Sequence, residues 1–122
     1  MAGVTISVAQ DMLNFAFPTS AATDHIAYSE NGTTETSILA RTAVGATNWA
    51  AATAADPSVK SNTAAIASAA ATGAGTITHF AIYSASTAGT QRTDWQALTS
   101  SRTLATGDKL QWAAGALDIT LT

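Results

Sequence analysis

The sequence predicts an all-β protein, an antiparallel β-sandwich of jelly-roll or immunoglobulin-like type with about eight short strands and room for one short N-terminal helix. Two observations carry this. From Gly75 to Thr122 short alternating apolar runs are separated by turn residues, and at the end Leu117, Ile119 and Leu121 alternate with Asp118, Thr120 and Thr122, the period of a strand with one wet face. Composition agrees: Ala, Thr and Ser make up half of the chain, and Thr favours strands while Ala lets sheets or subunits approach closely.

Element by element, Val4, Ile6 and Val8 alternate with Thr5, Ser7 and Ala9 and predict a short first strand. Met12, Leu13, Phe15 and Phe17 follow too densely for alternation, which predicts one or two helical turns stopped by Pro18. Residues 24–29 read as a strand, Asn31-Gly32 as a two-residue hairpin turn, and Ile38 to Val44 as the returning strand. Residues 24–29 are echoed by 78–84 with one residue inserted, which suggests related places in two sheets. In the Ala-rich middle, Ile66 is the only large apolar residue between Val59 and Ile77, so a helix would have no stripe to bury. A strand over Asn62 to Ala67 is expected instead, between turns at Asp56-Pro57 and Gly73-Ala74-Gly75. Gly107-Asp108 turns the chain into a strand holding Leu110 and Trp112.

The chain is expected to form a single domain, 1–122, with 1–22 as an N-terminal arm or helix. Its core is modest, because 29 of the hydrophobic residues are Ala and only 28 large apolar side chains remain. At about 1.5–3 kcal/mol for each one fully buried, little is left over against chain entropy. Docking onto neighbouring subunits would complete such a core. Five Lys plus Arg against eight Asp plus Glu leave no basic stripe, so nucleic acid is not an expected partner. There is no cysteine, the N-terminus lacks the cationic and apolar blocks of a secretory signal, and no apolar run approaches membrane-spanning length, so no membrane partner is expected.

Chemistry-bearing motifs are sparse. His25 and His79 occupy matching positions in the echoed strands and raise a metal pair or a pH switch. A strand imidazole beside Thr or Asp more often hydrogen-bonds locally, and no metal is assigned. Neither a nucleophile elbow nor a dinucleotide loop is present, and the pairs Glu30/Glu35 and Asp108/Asp118 fit turns better than glycoside hydrolysis. The expectation is a non-enzymatic, surface-binding protein with no cofactor. Asn31-Gly32-Thr33 matches a glycosylation sequon but reads as a turn. The candidate interface residues are Met12, Phe15, Phe17, Trp49 and Trp95, with core filling the competing role for the tryptophans; Trp95 could also serve as a sugar platform. Trp112, in phase with Leu110, is expected inside, and Trp95, beside Asp94 and Arg92, nearer an edge.

The run from Gly75 to Ala85 (Gly-Thr-Ile-Thr-His-Phe-Ala-Ile-Tyr-Ser-Ala), then Gln96-Ala97-Leu98-Thr99, Thr106-Gly107-Asp108 and Ala113 to Leu121, resembles a family of small tailed-phage virion structural proteins. The resemblance covers roughly residues 60 to 122 well, with Arg41-Thr42-Ala43-Val44 fitting a further strand and the first 20 residues carrying little of the pattern. It implies a head decoration or tail fibre-like β-sandwich protein of the virion, made in the host cytoplasm. The first expectation is a capsid decoration, or cement, protein that binds the major capsid protein or other virion proteins as a homo-oligomer, a trimer being suggested by particle symmetry. The alternative is a tail fibre or a receptor- or glycan-contacting tail module, and outside the virion class a carbohydrate-binding module or small glycan-active enzyme.

Overall fold

The computed structural model describes residues 5–17, 24–45, 49–55 and 58–121. The expected Val4, Pro18, Asp56-Pro57 and Thr122 lie outside them. The architecture is mostly antiparallel β with one short helix, the class the sequence predicts: α1 (Ile6–Ala16), β1 (His25–Ser29), β2 (Thr42–Ala43), β3 (Ser58–Ser61), β4 (Ile66–Ala67), β5 (Gly75–Tyr83), β6 (Gln96–Leu104), β7 (Gln111–Trp112) and β8 (Asp118–Leu121). The chain divides into two compact units, one of residues 1–22, 44–65 and 112–122, the other of residues 23–43 and 66–111.

In the first unit α1 replaces the strand expected at its start. Thr5 sits in extended backbone and its hydroxyl accepts from the Val8 N–H at 3.3 Å, an N-cap that turns the chain into a helix. Ala9, Leu13 and Phe17, spaced by four, are buried, so helical phase captures more apolar surface than alternation could. The Phe17 ring meets Trp49 edge-on at 5.7 Å between centroids, and Trp49 bridges to Asn62. Antiparallel β3 and β8 pair from Ser58↔Leu121 to Ser61↔Asp118, with Leu117 and Ile119 buried as the final alternation requires. The strand expected over 62–67 begins earlier and is interrupted. Asn62 closes the interruption: its amide oxygen accepts from the Leu117 N–H at 2.9 Å, and its amide nitrogen donates to the carbonyls of Ala64 and Ala113.

The second unit is organised by a four-stranded antiparallel sheet in the order β2-β1-β5-β6. Its core includes Ile26, Ala27, Tyr28, Ile77, Phe80, Ala81 and Ile82 from the two central strands. The echoed segments are neighbours in this one sheet rather than counterparts in two, pairing antiparallel from His25↔Tyr83 to Ser29↔His79. That register puts His25 and His79 at opposite ends of the ladder, and the described residues contain no cluster of metal-ligating side chains. Thr78 Oγ1 lies 2.8 Å from His79 Nδ1, the local hydrogen bond expected of a strand imidazole. The β1–β2 connection is longer than a two-residue hairpin. Asn31 Oδ1 accepts from the backbone N–H groups of Thr33 and Thr34, and Ser29 Oγ accepts from that of Gly32, so side chains shape the loop. Gly32 has φ +79°, and a Cβ there would lie 3.0 Å from the His79 ring.

Candidate functional site

Two surfaces stand out, one in each unit. In the second unit the elements converge on Arg41, just before β2. Its Nε and Nη2 donate to the two oxygens of Glu35, each at 2.8 Å, and Nη1 donates to the carbonyls of Ala85 and Ala88 at 3.0 and 2.7 Å. The guanidinium carbon stands 3.9 Å from the centre of the Tyr83 ring. Hydrogen bonding to Glu35 pushes the Arg41 pKa further above its ordinary value, against the opposing effect of burial, so this cation is permanent. Arg41 thereby ties the Glu35 loop to the loop after β5.

That second loop returns the chain through the pairs Ser84 N–H to Thr90 carbonyl and Arg92 N–H to Ile82 carbonyl. Ala88 and Gly89 both take positive φ, and a Cβ on Gly89 would approach Ala85 Cβ and Ser84 Oγ to 2.9 Å. Beside the Glu35–Arg41 pair lies an open depression of about 340 Å³, lined with hydroxyls from Thr36, Ser37, Thr72, Ser86 and Thr87. Trp95, half-buried at the entry to β6, packs tilted on Tyr83 with 6.2 Å between ring centroids. Its placement at a strand end matches the edge position expected of it.

The second surface is the outer side of α1. Met12 and Phe15 are exposed, Phe15 at 88% of its full area, and Val8 is exposed beside them. Of the five candidate interface residues, these two and Trp95 have accessible surface, whereas Phe17 and Trp49 are spent on each other inside the first unit. Trp112 is buried, as expected. Sequence reasoning passed over Val8, because a β-branched residue in an alternating run reads as strand. It also passed over the Arg41–Tyr83 stack, which joins residues 42 positions apart and carries no local signal.

The structure is mostly β, with antiparallel sheets and one short helix. Residues 4–120 match the family described as podophage GP4 fiber I protein gp80, and the chain belongs to that family. It is therefore a component of a tailed-phage virion. No curated protein matches the chain.

Proposed function

We propose that this chain is a non-enzymatic fibre subunit of the virion, working by contact with other virion proteins. The observation that carries the reading is the family match over nearly the whole chain, to a family described as a fibre protein. It moves the fibre ahead of the cement role that sequence alone placed first. The Arg41–Glu35 and Asn62 networks support a structural role, because these polar groups are spent on bonds within the chain.

Immunogold labelling of intact particles with antibody against the chain tests the reading. Label on projecting fibres is the expected result. Label spread evenly over the shell, with stoichiometric binding of the purified chain to empty capsids, overturns the fibre reading in favour of cement, and unlabelled particles overturn both.

A receptor- or glycan-contacting form of the fibre is favoured by the half-exposed Trp95 on Tyr83, since large aromatic faces are effective contact anchors. Trp95→Ala particles should then adsorb to host cells several-fold more slowly than the wild type. Equal adsorption rates refute that form.

A further inference from the structure

The hydroxyls that line the depression beside the Glu35–Arg41 pair fall into two groups. Thr36 Oγ1 donates to Glu30 at 2.9 Å and Thr72 Oγ1 to the Ile38 carbonyl at 3.3 Å, so these two hold the wall in place. Ser37, Ser86 and Thr87 are exposed, and among the described residues their hydroxyls make no hydrogen bond within the chain. Glu35 adds a directed acceptor. Each of its carboxylate oxygens accepts one Arg41 N–H and keeps a second lone pair, and its side chain is 31% exposed against 7% for Arg41. The wall that carries Ser86 and Thr87 is strained and clamped: Ala88 takes φ +53°, and Arg41 Nη1 donates to the carbonyls of Ala85 and Ala88 on either side of the two hydroxyls. Hydroxyls fixed in this way lose little freedom when a ligand arrives.

We infer that this depression is a binding site for an uncharged sugar residue of a carbohydrate chain. Three features select that chemistry. A sugar ring carries adjacent hydroxyls that both donate and accept, and these find matches in the Glu35 carboxylate and in Ser37, Ser86 and Thr87. An acidic sugar would meet the open carboxylate while the neighbouring guanidinium is already engaged, so charge favours a neutral ring. A peptide or a lipid needs a deep apolar anchor pocket, whereas the apolar lining here is Ala40, Ala88 and the buried Leu39. The volume, about 340 Å³, lies at the small end of the roughly 300–1,000 Å³ typical of ligand sites, which suits a short stretch of glycan. The inference deepens the glycan-contacting form of the fibre and rests on that reading for its biological use, but it places the sugar in a depression that Trp95 does not line.

The test is a titration of the isotope-labelled full chain, followed through its amide NMR signals, with methyl α-glucoside, methyl β-galactoside and methyl α-mannoside, and with butylammonium chloride as a cationic control. At least one glycoside should move the signals of residues 35–41 and 84–90 saturably, with butylammonium binding at least fivefold more weakly. The triple variant Ser37→Ala, Ser86→Ala, Thr87→Ala should weaken that binding at least tenfold with an unchanged circular-dichroism spectrum, and Ser101→Ala on exposed β6 should leave it unchanged. No shift with any glycoside, shifts confined to the surroundings of Trp95, butylammonium binding as tightly as the sugar, or wild-type affinity in the folded triple variant overturns the site. Should the triple variant not fold, Thr87→Ala alone decides, with at least a twofold loss expected and no loss overturning the site. Slower adsorption of Trp95→Ala particles without sugar binding here sinks the site and leaves the contacting fibre standing; sugar binding here with unlabelled particles sinks the fibre and leaves the site.

Discussion

Asn14 is the point at which α1 is tied to the rest of the first unit. Its Oδ1 accepts from the Ala52 N–H at 2.9 Å and from Lys60 Nζ at 2.8 Å, while Gln10 Nε2 donates to the Ala52 carbonyl. Asn14→Ala removes the acceptor from both donors and should cost about 1–3 kcal/mol, read as a lower midpoint in chemical denaturation. Lys60 itself is fully buried, and desolvation holds its pKa below the usual 10.5. Between that lowered value and 10.5 the unfolded chain keeps a proton that the folded chain has shed, so stability rises with pH across the window and levels off above it. Lys60→Met should lose this rise, leaving a flatter stability curve than the wild type as the pH climbs to 10.5. At this scale the sequence was least legible. Phe17 reads as an interface anchor because it belongs to the most apolar piece of the N-terminal half, and Trp49 because it has polar residues beside it, yet the described residues around Trp49 carry an isolated bridge and no strand, so no period says which way the ring points.

Among elements, α1 is where local pattern and tertiary packing disagree. Ile6 and Val8 continue an alternation that fits a strand, but the Thr5 cap and the fourfold spacing of Ala9, Leu13 and Phe17 favour the helix. Thr5→Ala should therefore destabilise the fold by about 1 kcal/mol, measured by thermal melting against the wild type. The later elements were legible because their signals are local: the alternation of Leu117 and Ile119 and the turn at Gly107, whose φ is +93°. The partner of each strand was not. Two similar sequences can lie side by side or on separate sheets, and the register that makes β1 and β5 neighbours is set by long-range pairing alone. In the sequence Arg41 is legible only as part of a strand, while its clasp on Glu35 and the carbonyls of Ala85 and Ala88 depends on a loop that sequence describes only as polar.

For the molecule as a whole, each unit is assembled from separated stretches, and the last eleven residues complete the first rather than the second. Ending the chain after residue 111 should strip β3 of its partner β8 and remove the buried Trp112, Leu117 and Ile119, giving a product without cooperative melting. Overall class was readable from composition and alternation; the interleaving was not, because it depends on which distant strands meet. At one margin of the larger sheet lies β6, whose outer edge has no strand partner among the described residues, and of its nine residues only Leu104 is buried. Its outward tiling of Thr, Ser and Arg102 keeps that margin hydrated, so stray copies gain little by zipping onto it. A chain with such a margin resists joining its copies edge to edge into tangled sheet even when concentrated.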